Sequence, residues 1–149
     1  MIYCDPSFLF SLYAWDDNTE AALKIYSADA RRPLIFTPWQ RFETRNAVRF
    51  AAHRLRRVGR AVPFQPGNVF KRMDQDLAAG ILKHQELDLV ETLRLAEDLS
   101  DRHTELLGSA AVDLWHVAQA VLLEAEIFWT FDSDQRKLAR TIKKIRVVL

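Results

Sequence analysis

The sequence predicts an α/β fold, a three-layer α/β/α sandwich around a mainly parallel central sheet. Three observations carry this prediction. Strand-like runs alternate with helical patterns along most of the chain. The connections between the runs are too long for hairpins, which leaves crossover connections and parallel pairing. The run Glu126-Ile-Phe-Trp-Thr-Phe131 is aromatic and β-branched, as a buried strand requires. At 149 residues, 49% apolar and 28% charged, the chain has the size and composition of one globular domain spanning residues 1–149.

The elements follow in order. Met1-Ile-Tyr-Cys4 reads as a short buried strand ending at Asp5, and Pro6-Ser7 starts a helix through Phe8–Tyr13. Asp16–Thr19 supplies a turn and cap for a helix over Glu20–Ala28. Arg31-Arg32 precedes Pro33-Leu-Ile-Phe-Thr-Pro38, a strand bracketed by prolines. Trp39–Arg57 is helical, with Ala47, Val48, Ala51 and Leu55 on one apolar face and Glu43 at its edge. Val58–Asn68, with two Gly and two Pro, is a loop. Val69–His84 reads as a helix and Glu86–Glu91 as a strand. Thr92–Leu107 is an amphipathic helix closed by Gly108. Ser109–Ala125 forms a nearly all-apolar, buried helix, interrupted chiefly by Asp113, His116, Gln119 and Glu124. The strand at 126–131 follows, then Asp132-Ser133-Asp134 as capping candidates for a helix over Gln135–Lys144. Ile145–Leu149 is a last strand.

Charge is balanced overall at +1 but unevenly spread. Arg49, Arg54, Arg56, Arg57, Arg60, Lys71 and Arg72 crowd the middle, Arg136–Arg146 forms a second basic run, and Asp74–Glu105 carries most of the acid. This allows local phosphate attraction, although solvated helix faces give the same pattern. Cys4 stands alone, which excludes an intrachain disulfide and fits a reducing compartment. No signal peptide or long apolar span is visible, and a cytoplasmic location is expected. The chain carries no glycine-rich phosphate loop, CxxC pair, GxSxG elbow or HExxH motif.

Two carboxylates are conspicuous: Asp113 on an otherwise apolar helix, and Asp132 where a buried strand ends. Charge in such surroundings is costly unless compensated, a metal ion being one candidate compensator. Asp5 ends the first strand, on the edge where open α/β sheets place their crevice. Each acid also has a structural explanation: Asp5 as a helix cap, Asp113 as a favourable charge near a helix N-terminus, Glu43 as a solvated side chain.

Asp113-Leu-Trp-His-Val-Ala118, with Phe128-Trp-Thr-Phe-Asp132-Ser-Asp-Gln-Arg-Lys-Leu-Ala139, resembles the C-terminal half of PIN domains, especially the VapC-like toxins of type II toxin–antitoxin pairs. Asp5 and Glu43 occupy the two earlier acidic positions of that pattern, so the resemblance covers nearly the whole chain and implies the PIN-like form of the sandwich. It implies a metal-dependent endoribonuclease that cuts single-stranded RNA, leaving a 5′-phosphate and a 3′-hydroxyl. Asp5, Glu43, Asp113 and Asp132 are then its catalytic set, and Asp5, Asp113 and Asp132 its metal ligands. Mg²⁺ or Mn²⁺ suits converging carboxylates, which otherwise raise one another's pKa. Asp134 could replace Asp132, and Ser7 and Thr130 could hydrogen-bond the ligands. His116 is better read as a hydrogen-bonded core histidine than as a ligand. Arg49, Arg54, Arg136 and Lys137 are candidates for RNA phosphate contacts. The resemblance further implies a cognate antitoxin and a homodimer; of Phe8, Phe10, Tyr13, Trp15, Trp39 and Phe42, most are expected in the core and some in an apolar groove for an amphipathic antitoxin segment. Two rivals remain: a non-catalytic PIN-fold binding module, and a receiver-like signalling domain. The second is weakened by Cys at position 4 and by the acid-free end of Pro33–Pro38.

Overall fold

The computed structural model of the chain describes residues 1–29 and 32–148. Strand β1 (Ile2–Cys4) gives way to Asp5, whose extended backbone caps helix α1 (Pro6–Tyr13). Pro6 sits in the first turn, where no backbone N–H is needed. Helix α2 (Thr19–Asp29) leads to β2 (Leu34–Phe36). A reciprocal capping box then opens α3 (Pro38–Arg57): Gln40 N donates to Thr37 Oγ1 at 3.1 Å, and Thr37 N donates to Gln40 Oε1 at 2.7 Å. There follow α4 (Pro66–Ala78), β3 (Leu82–His84), α5 (Leu89–Leu107), α6 (Ala111–Leu122), β4 (Ile127–Trp129), α7 (Ser133–Ala139) and β5 (Arg146–Val148).

Among the described residues the sheet has five strands, all parallel, in the order β3-β2-β1-β4-β5. Strand β1 is central, with Ile2 in register with Leu34 on one side and Ile127 on the other. The two-residue period of the strands divides the core. Ile2, Cys4, Leu34, Phe36, Ile127 and Trp129 pack with Phe8 of α1, Val48 of α3 and Met73 of α4. Tyr3, Ile35 and Phe128 pack with Leu99 of α5, Val117 of α6 and Leu138 of α7. Helices thus cover both faces, and the fold is the expected three-layer α/β/α sandwich. No helix among the described residues is long and apolar enough to cross a membrane.

Several boundaries differ from expectation. The helix expected over Val69–His84 stops at Ala78, Gly80 adopts φ 75, and Leu82–His84 is a strand instead. This edge strand buries only Leu82, so it lacks the alternation that would reveal it. Glu86–Glu91 is not a strand: Asp88 caps α5 by accepting from Glu91 N at 2.9 Å, which draws Leu89-Val90-Glu91 into the helix. The buried helix ends at Leu122 rather than Ala125, with Glu124 taking φ 50. Helix α7 ends at Ala139, short of the expected Lys144, because residues 140–145 turn instead. Leu149, expected in the last strand, and Arg31 lie outside the described residues.

Candidate active site

The chain steps from β1 outward through β2 to β3, then returns to the other side of β1 for β4. The carboxyl ends of β1 and β4 therefore flank the point where strand order reverses, the usual place for a crevice in a parallel sheet. Asp5 follows β1 and Thr130–Asp132 follows β4.

Asp5 is buried. Its Oδ1 accepts from Phe8 N at 2.8 Å and its Oδ2 from Thr130 Oγ1 at 3.0 Å. Ser7 Oγ stands 2.8 and 2.7 Å from the two carboxyl oxygens. The same hydroxyls anchor the end of β4: Ser7 Oγ accepts from Phe131 N at 3.1 Å, and Thr130 Oγ1 from Asp132 N at 2.9 Å. Burial pushes the Asp5 carboxyl up to about 6, against the pull of these donors and of the nearby His116.

Asp113, also buried, lies in the first turn of α6, where its Oδ2 accepts from Ala110 N at 3.2 Å. Desolvation raises its pKa most, and the charges of Asp132 and Asp134 raise it further. Both acids after β4 therefore act on Asp113. They differ in their own ties. Asp132 caps α7, its Oδ1 accepting from Asp134 N at 2.8 Å and Gln135 N at 3.0 Å, which leaves Oδ2 available. Asp134 is exposed, and a Lys137 ion pair at 2.7 Å lowers its pKa.

Glu43 is not a loose surface acid. Its Oε2 lies 2.9 Å from His116 Nε2, and His116 Nδ1 lies 2.8 Å from the Tyr3 hydroxyl. Tyr3 donates to Gln119 Oε1 at 2.9 Å, and Thr37 Oγ1 donates to the same oxygen at 3.0 Å. A buried polar chain thus links the start of α3 to α6 across β1, with the core histidine at its middle. Tyr3 and Thr37 were not singled out from sequence, and Gln119 was noted only as a polar interruption of its helix. The Thr37-x-x-Gln40 capping pattern and the polar Gln119 on an apolar helix were the available signals.

The expected RNA contacts are dispersed. Arg49 stacks 4.6 Å over Phe70, and Arg54 lies eleven residues beyond Glu43 along α3, roughly 16 Å at 1.5 Å per residue. Arg136 and Lys137 lie in the last turn of α7. Of the six aromatic residues read as either core or groove, Phe8 and Tyr13 are core, Phe10 packs half-buried against it, and Trp15, Trp39 and Phe42 are exposed.

Among the described residues no three His, Cys, Asp or Glu side chains are gathered closely enough to hold a metal ion. The donor chemistry nevertheless fits a hard divalent cation. Asp5 and Asp113 are buried oxygen donors with raised pKa, and no lysine or arginine pairs with either among the described residues.

A parallel sheet with buried carboxylates beside its switch point defines an α/β protein of the open-sheet class. The PIN domain family model matches residues 2–141, and the chain belongs to that family. PIN domains are generally nucleases, usually metal-dependent ribonucleases, so this is a nuclease fold. No curated protein matches the chain.

Proposed function

We propose that the chain is one PIN domain acting as a metal-dependent endoribonuclease, the toxin of a type II toxin–antitoxin pair. The observation that carries this reading is the placement of buried Asp5 and Asp113, without a lysine or arginine counter-charge among the described residues, where strand order reverses. In this reading Asp5, Asp113 and Asp132 hold Mg²⁺ or Mn²⁺, and Asp134 is the alternative to Asp132. The bound ion supplies charge stabilisation and lowers the pKa of water, the attacking group in phosphodiester hydrolysis.

The chain's own side chains do the rest. Ser7 and Thr130 fix the Asp5 carboxylate and tie it to the end of β4. His116 holds Glu43 in the orientation from which it can position water. Water adds to phosphorus as the bond to the ribose 3′-oxygen breaks, leaving a 5′-phosphate and a 3′-hydroxyl. Arg49, Arg54, Arg136 and Lys137 are the proposed phosphate contacts, Lys137 being the one paired beside the crevice. A cognate antitoxin, a homodimer and a cytoplasmic location complete the proposal.

Cleavage of a mixed RNA pool with Mg²⁺ or Mn²⁺ tests it, comparing the intact chain with Asp5→Asn and Asp113→Asn. Metal-dependent cutting lost in both variants is the expected outcome. Cutting that survives both sinks the site assignment. The second reading, a non-catalytic binding module, is favoured by the lack of a gathered three-residue cluster among the described residues. Thermal stabilisation by Mn²⁺ without cutting would support it.

A further inference from the structure

Past the carboxyl ends of β2 and β3 lies a cleft of about 340 Å³ bounded by Thr37, Trp39, Glu86, Leu89, Trp115 and Gln119. That volume falls at the small end of ligand sites, which run to roughly 300–1,000 Å³. Its walls are aromatic. Trp39 meets Trp115 edge-on at 5.7 Å between ring centroids, and Phe42 tilts against Trp39 at 5.8 Å. Trp39 remains 40% exposed and Phe42 62% exposed, so two large apolar rings stand open near the start of α3.

The cleft also carries a built polar group. Gln119 is only 2% exposed, and both of its hydrogen bonds fall on Oε1, from Tyr3 and from Thr37. The Thr37 hydroxyl accepts from Gln40 N and donates to Gln119, and with the Tyr3 hydroxyl also donating, the amide is placed with Oε1 inward. Nε2 is then a donor with no partner among the described residues, on a side chain that lines the cleft. One turn earlier on α6, Trp115 Nε1 also lacks an acceptor. Trp115 Nε1 is fully enclosed, whereas Gln119 Nε2 is not, so of the two the Gln119 donor is the one open to an acceptor in the cleft.

The charge of the walls narrows the occupant. No lysine or arginine borders the cleft and Glu86 does, so a phosphate is excluded and an uncharged planar group is favoured. The cleft is joined to the acids by the Gln119–Tyr3–His116–Glu43 chain. We infer that Trp39, Trp115 and Gln119 form a base-binding subsite, where an unstacked base of single-stranded RNA stacks on Trp39 and accepts from Gln119 Nε2 through a carbonyl oxygen. Uracil, which presents a carbonyl where cytosine presents an amino group, is preferred over cytosine. The subsite deepens the nuclease reading above and rests on it.

The test is binding in EDTA, where cutting is not read. The probes are hexauridylate, hexacytidylate and an abasic ribose–phosphate hexamer of equal charge, each carrying the same fluorophore. Base stacking and the amide contact predict about tenfold tighter binding of hexauridylate than of the abasic hexamer. Trp39→Ala should erase that difference and leave abasic binding unchanged. Gln119→Glu keeps an oxygen for Tyr3 and Thr37 but replaces the donor by an acceptor, so it should reverse the order of uridylate and cytidylate. Equal binding of the three probes by the intact chain, no binding of any, or an equal loss for all probes in Trp39→Ala overturns the subsite. The cleavage assay fails independently. Base preference without metal-dependent cutting removes the nuclease reading, whereas cutting without base preference removes only the subsite.

Discussion

Asp5 makes the metal-free protein sensitive to pH in a direction opposite to that of an ordinary paired carboxylate. Its folded pKa is raised, from 3.8 to about 6. Within that window the folded chain keeps a proton that the unfolded chain has released, so stability falls as pH rises. The loss is complete above about pH 6 and amounts to about 3 kcal/mol. Urea unfolding in EDTA from pH 4 to 7 should show this decline, and Asp5→Asn should flatten it. Added Mn²⁺ should raise the melting temperature of the intact chain and leave that of Asp5→Asn unmoved. Tyr3→Phe is the second residue-scale prediction. It removes the hydroxyl between His116 and Gln119 and should cost about 1–3 kcal/mol, by urea unfolding, because a buried imidazole nitrogen is left unpartnered. Cutting should fall with it as Glu43 loses its fixed orientation. The places of Asp5 and Asp132 at strand ends and of Asp113 on an apolar helix could be read from sequence because charge there is conspicuous, whereas Glu43 was singled out only by the family pattern. Tyr3 could not be read: in a buried strand a tyrosine reads as an apolar residue, and its partners lie 113 and 116 positions away.

At the scale of elements, two helix ends form a natural pair. Gly108 closes α5 at φ 67 and Glu124 follows α6 at φ 50, both left-handed. A Cβ at Gly108 would meet nothing within 4 Å, so the penalty there is backbone strain alone. Gly108→Ala should cost about 1–2 kcal/mol, and Glu124→Gly should recover about 1 kcal/mol, in the same urea titration. Equal signs for the two would refute the backbone account. The pair also shows why one boundary was legible and the other not. The end of α5 carries the glycine that such a turn favours, whereas the end of α6 carries glutamate, so the helix was extended to Ala125. Strand β3 escaped for a related reason. With Lys83 and His84 exposed at a sheet edge, it has the composition of a helix end, and only pairing with β2 makes it a strand.

For the whole molecule, the sheet is shared property. The two apolar clusters lie on opposite faces of the same three-residue strands, so neither can be dismantled alone. Leu9→Ala in one cluster and Leu99→Ala in the other should each cost about 2–5 kcal/mol. In both variants tryptophan fluorescence and far-ultraviolet circular dichroism should follow one coincident transition. Separate transitions would mean that the layers fold independently. Layering and parallel pairing were legible because alternation of strand and helix leaves few other arrangements. Which neighbours each strand takes was not, since that depends on contacts far apart in sequence.

The central strand has a consequence for synthesis on the ribosome. Ile2 pairs with Ile127, so the first strand waits until residue 127 has been made before it is flanked on both sides. Until then Asp5 lacks Thr130, and Asp113 lacks the acids that follow β4. Pairing over so long a separation is slow. A nascent chain in this state has not yet brought the proposed acids together, so the proposed ribonuclease gains its site only once β4 has joined the sheet.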